Sequence, residues 1–201
     1  QTHSLADLGL SCPHTFIQTY TRNNHSLWAD YHLGKISKEQ LRSTRFSTTF
    51  LELGLSVETI PRAFEDDYVR ICPTKTNLFP GAHETLSYLQ QKYTLHLISN
   101  GFKESTELKV AVTGLGGYFE NIFISEVIGF NKPNAKIFDF ALSTAKASRE
   151  ESVMIGDSIE ADIRGAIDYG MEAIYFNPTN KDKPADVPKQ ITDLNELMDI
   201  F

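Results

Sequence analysis

The 201 residues are 41% hydrophobic and 22% charged, an ordinary globular composition with room for one large domain or a core with a smaller companion. The 19 Lys and Arg against 26 Asp and Glu give a net charge of −7 without any basic stripe, which argues against a nucleic-acid polymer as the main partner. A small phosphorylated metabolite is compatible with that charge where a metal ion screens it.

No stretch approaches the ~18 apolar residues of a membrane helix, so no membrane partner is expected. The opening QTHSLADLGL is neither basic nor apolar enough for a signal peptide. Cys12 and Cys72 show no C-x-x-C spacing, and the expectation is a cytoplasmic chain with both thiols packed as small hydrophobic groups. The chain opens on Gln1, whereas initiator Met is normally removed only before a small residue. This N-terminus is therefore expected to come from cleavage, cloning or trimming of a longer sequence.

Residues 1–72 read as helical throughout, within a first domain of residues 1–76. HTFIQTYTRNNHSLWADYHLG spaces Phe16, Ile17, Tyr20, Leu27, Trp28 and Tyr31 mostly three or four apart and stops at Gly34. Ser37 and Gln40 form a capping box that opens a helix to about Leu53. Ser56 is expected to cap one further helix through Ile60, Phe64, Tyr68 and Ile71. Two prolines and a glycine in PTKTNLFPG mark a boundary, and residues 77–201 form the second domain. There TLHLIS (94–99), NIFIS (121–125), SVMIG (152–156) and AIYF (173–176) read as strands. Helices are expected over 81–92, 105–113, 134–147, 160–169 and 192–200. This alternation predicts an α/β fold, a Rossmann-like parallel sheet core covered on both faces.

Ligands of such sheets bind beyond the carboxyl ends of the strands. The first predicted strand ends in Ser99-Asn100-Gly101, the second leads to Lys132 and the third ends in Gly156-Asp157-Ser158. Singly, Ser99 reads as a turn former, Lys132 as a solvated loop lysine, Asp157 as a cap and Asp162 as a first-turn helix acid. Together they place a hydroxyl, a cation and a carboxylate on one rim. Phosphoryl transfer needs that set: a hard Mg²⁺ on carboxylate oxygens, and donors aimed at transition-state charge.

LISNG, NKPNAKIF and GDSIEAD, in this order and spacing, resemble the second, third and fourth motifs of the haloacid dehalogenase superfamily, in its phosphatase branch. The helical N-terminal part resembles the α-helical cap of these enzymes. LWADYHLGKIS, Arg45-Phe46 and SNGF resemble the nucleotidase-like subgroup, which includes pyrimidine 5′-nucleotidases. The resemblance implies a Mg²⁺-dependent phosphomonoester hydrolase, acting on a substrate such as a nucleoside 5′-monophosphate. Asp157 would ligate Mg²⁺, while Ser99, with Asn100 beside it, would bind the phosphoryl group. Lys132 would stabilise the nucleophile and the transferring phosphate. Asp162, with Ser158, would orient Lys132 or support the metal from behind. Arg22, Trp28, Tyr31 and Arg45 of the cap could meet a base or sugar, although packing is the first expectation for the two aromatics and a surface position for the arginines.

One motif is missing. The family's first motif is an apolar strand ending D-x-D, whose first Asp is the nucleophile and second the general acid and base. Asp7, Asp66-Asp67 and Asp139 do not stand in such a strand. The first core strand is thus expected upstream of Gln1, leaving unpaired strand edges, a weak Mg²⁺ site and a chain inactive by itself. Two alternatives stand beside this reading: a non-catalytic phosphate-binding or regulatory relative, and a 2-haloacid dehalogenase. The Gly156-Asp157 pair favours phosphate over the dehalogenase. No sequence signal bears on oligomeric state.

Overall fold

The computed structural model describes residues 12–61 and 63–201. The chain divides into two units, the first ending at Cys72 and the second starting at Pro73.

Among its described residues the first unit is helical. Helix α1 (Pro13–His32) opens on a proline, whose missing N–H costs nothing in a first turn, and runs out before Gly34 at φ +69°. Helix α2 (Lys38–Glu52) carries the capping box in full: Gln40 N–H donates to the Ser37 hydroxyl (3.2 Å), and Ser37 N–H donates to the Gln40 side chain (2.8 Å). The helix expected from Ser56 to Ile71 is broken. Ser56 caps only a 3₁₀ turn, Val57–Thr59, and α3 (Phe64–Ile71) starts afresh. Pro61 is the reason, because a residue before proline avoids the helical region, and Ile60 is extended at ψ 121°.

Phe16, Phe46 and Phe50 form the buried core of this unit, with Tyr20, Phe64 and Tyr68 packed around them. The Phe46 and Phe64 rings meet edge to face at 4.8 Å. Arg45 departs from the expected surface position, being only 3% exposed. Its Nε donates to Glu65 (2.9 Å) and its guanidinium lies 4.5 Å from the centre of the Tyr68 ring. Arg22 is exposed and paired with Glu52. Trp28 and Tyr31 stay half-buried outside this core, with their rings in contact at 5.5 Å. Cys12 is exposed rather than packed, because it precedes Pro13 at the open end of α1.

In the second unit, α4 (Ala82–Leu89) is followed by two parallel strands, β1 (His96–Ser99) and β2 (Asn121–Ile124), joined through α5 (Lys103–Thr113). After α6 (Ser125–Ile128) and α7 (Ala135–Ala145) comes a second parallel sheet. It consists of β3 (Val153–Gly156), β4 (Glu172–Phe176) and β5 (Lys189–Ile191), with α8 (Gly165–Tyr169) between the first two and α9 (Leu197–Ile200) at the end. Strand β5 was not legible in the sequence: in Lys-Gln-Ile only Ile191 is apolar. The expected helix 192–200 is a 3₁₀ turn, Leu194–Glu196, leading into α9.

Strand β4 shows how the core is built. Ala173 and Tyr175 join Ile137, Phe138 and Ile163, while Ile174 and Phe176 join Leu89, Ile191 and Leu197. Alternate side chains therefore feed two separate apolar layers, as in a sheet covered on both faces. All of β4 beyond Glu172 is buried, whereas every residue of β1 and β3 is only half-buried. Among the described residues β1 and β3 share no ladder, so the strands divide into a pair and a triplet.

Candidate active site

Ser99 ends β1. Its hydroxyl accepts the Gly101 N–H (3.0 Å) and lies 3.2 Å from the Thr106 hydroxyl on α5. A Cβ on Gly101 would stand 2.7 Å from that Thr106 oxygen, so only glycine fits the turn. Thr106, 7% exposed, was missed by sequence reasoning, because a threonine inside a helix carries no signal of its own.

Asn100 and Lys132 are each 7% exposed and grip one another. Asn100 Nδ2 donates to the Lys132 carbonyl and Lys132 N–H donates to Asn100 Oδ1, both at 2.8 Å. The lysine side chain then runs back to β1, where Nζ donates to the Ile98 carbonyl (2.7 Å), and forms an ion pair with Asp162 Oδ1 (2.7 Å). An ammonium has three N–H donors. Two are used, and no partner for the third is present among the described residues.

Asp162 is 4% exposed and satisfied on both oxygens, Oδ2 accepting the Ser158 N–H at 3.0 Å. The local backbone explains the reach. Residues Ile159–Arg164 form a π-helical turn, in which the Ser158 carbonyl accepts both Asp162 N–H (2.9 Å) and Ile163 N–H (3.2 Å). The wider turn folds Asp162 back over Gly156, where a Cβ would stand 2.3 Å from Oδ2. The Ser158 hydroxyl accepts the Ala161 N–H and caps the turn (3.2 Å). Gly165 then packs on the loop that carries Lys132, since a Cβ there would lie 3.0 Å from Pro133 Cα.

Asp157 differs from Asp162. It is exposed and has no hydrogen bond or ion pair among the described residues, so its oxygens are available to a hard cation. Glu160 is exposed and paired with Arg164. Among the described residues no three carboxylate, imidazole or thiol groups converge as a metal cage. The donor type suits Mg²⁺, but Asp157 fills only one side of such a site. Ser99, Asn100, Lys132, Ser158 and Asp162 are thus joined by hydrogen bonds or by the strand itself, and Asp157 stands at their rim.

Two parallel sheets in an α/β unit, with a hydroxyl, a buried lysine–aspartate pair and an exposed carboxylate at or beyond their strand ends, have the form of a hydrolase of the haloacid dehalogenase type. Residues 13–170 match the haloacid dehalogenase-like hydrolase family, and the chain belongs to it. It is 33% identical over 183 residues to pyrimidine 5′-nucleotidase YjjG of Escherichia coli, covering 90% of this chain and 80% of that protein. Identity to pyrimidine 5′-nucleotidase PynA of Streptococcus pneumoniae is also 33%, over 179 residues, 88% of this chain and 75% of that one. The crystal structure of Bacillus subtilis YfnB bound to magnesium superposes with a TM-score of 0.86 at 30% identity, covering 97% of this chain and 86% of that chain.

Proposed function

We propose that this protein hydrolyses a small phosphomonoester, with nucleoside 5′-monophosphates as the substrate class, and that its 201 residues hold the phosphate-binding and lysine side of the site. The observation that carries the reading is Lys132. It is buried, tethered to Ile98 and Asp162, and left with one N–H for an anion. Ser99 would donate its hydroxyl to a phosphoryl oxygen. Asp157 would hold Mg²⁺, which supplies Lewis-acid charge to the phosphate when bound. Asp162 fixes the lysine by charge and geometry. A buried partner is well suited to that task, since an unpaired buried ammonium costs several kcal/mol.

The attacking carboxylate is assigned to a D-x-D strand outside these residues. Two features support this: no such strand occurs in the sequence, and β1 and β3, both half-buried, lack a ladder with each other. Intact mass and sequence of the product of the natural gene test the assignment. The expected result is a protein heavier by about 2–3 kDa, the size of one strand with its turn and helix start, containing D-x-D. A natural product without paired aspartates ahead of this sequence would overturn the assignment and leave a phosphate-binding protein.

A further inference from the structure

We propose that the side chain of Asn100 is the positioning residue for Lys132, holding its backbone so that the ammonium stays in place. The inference rests on the reading of Lys132 given above. A primary amide has one strong acceptor and one donor group, and here the backbone of one residue takes both, at 2.8 Å each. The orientation of the amide is fixed by this pairing, since a flipped group would set oxygen against oxygen and nitrogen against nitrogen. Both ends of the amide are thereby engaged by Lys132, through one of its two N–H donors and one lone pair of its oxygen.

The clamp solves a problem of the loop. Lys132 lies between β2 and β3, outside any strand or helix, and at 7% exposure water cannot serve its peptide groups. Asn100 stands in for the missing ladder partner. Two residues earlier on the same chain segment, the Ile98 carbonyl receives Nζ (2.7 Å). The end of β1 therefore holds Lys132 at its N–H, its C=O and its ammonium. Backbone position and side-chain reach are both set from one short segment, so moving the backbone by the loss of Asn100 moves the ammonium.

A loop staple of purely structural importance would predict the same contacts, and the test separates the two. The full chain is labelled with trace acetic anhydride, and the reaction of each lysine is read by mass spectrometry, with exposed Lys109 as the internal reference. In N100A the Lys132 rate relative to Lys109 is expected to rise about thirtyfold, the factor for about 2 kcal/mol from two lost hydrogen bonds. The ratios of the other lysines stay unchanged. N100D keeps the acceptor for the Lys132 N–H but sets a carboxylate oxygen against the Lys132 carbonyl, so its Lys132 ratio should rise as well, and it decides the question if N100A fails to fold. An unchanged Lys132 ratio in either folded variant, or a uniform rise over all lysines, would overturn the proposal. Added phosphate with Mg²⁺ tests the underlying reading separately: failure to protect Lys132 in the unaltered chain contradicts phosphate binding, yet leaves its placement by Asn100 intact.

Discussion

At Gly156 the backbone needs no special dihedral, yet no side chain fits, because the Asp162 carboxylate lies where a Cβ would be. A methyl at this position must push Asp162 off Ser158 N–H and Lys132 together. G156A is expected to destabilise the fold by about 1–3 kcal/mol, the range for overpacking a filled interior. Urea denaturation of the two proteins measures it, and equal midpoints would show that Asp162 yields without cost. Residues of this kind differ in how readable they are. Ser99, Lys132, Asp157 and Asp162 were singled out because each stands at or beyond the carboxyl end of a predicted strand. The task of Asn100 could not be read in this way, since it joins backbone groups 32 positions away and leaves no period in the sequence.

Elements were legible where a local signal and the tertiary structure agree. The Ser37–Gln40 box opens α2 as its spacing implies. Ser56 offers only an N-cap, and Pro61 stops the helix it would open. Strand β5 is held by its ladder to β4 and by burial of Ile191, neither visible in three mostly polar residues. Just beyond it, Asp193 and Glu196 form a capping box, and the Glu196 carboxylate accepts Thr192 N–H (2.7 Å) and Asp193 N–H (2.9 Å). Thr192 N–H, then Asp193 N–H, and the Thr192 hydroxyl hold this carboxyl below its ordinary value. The folded state thus favours the ionised form. Its contribution is present above the ordinary glutamate value of about 4.3 and is lost as pH falls through the lower folded value. E196Q should therefore be less stable than the parent chain near neutral pH, and the gap should narrow in acid. Urea midpoints at neutral and acid pH measure this, and a gap independent of pH would exclude Glu196 as the titrating group.

For the whole molecule, the change of hydrophobic period near PTKTNLFPG gave an expected boundary after residue 76, and the structure divides into two units between Cys72 and Pro73. The division of the strands into a pair and a triplet was not legible, because periodicity shows that strands exist and not which ones pair. Both sheets present their carboxyl ends to the same cluster. Lys132 connects them, bonded to Ile98 of β1 on one side and to Asp162 after β3 on the other. None of the described helices is long and apolar enough to cross a membrane. We propose that these residues form the anion-holding half of a phosphoryl-transfer site, with the attacking carboxylate on a strand outside them. The most direct test is hydrolysis of nucleoside 5′-monophosphates with Mg²⁺, by the 201-residue chain and by the natural gene product side by side. Turnover abolished by EDTA is predicted for the natural product, and none above background for the 201 residues. Robust Mg²⁺-dependent turnover by a pure sample of the 201-residue chain would contradict the account.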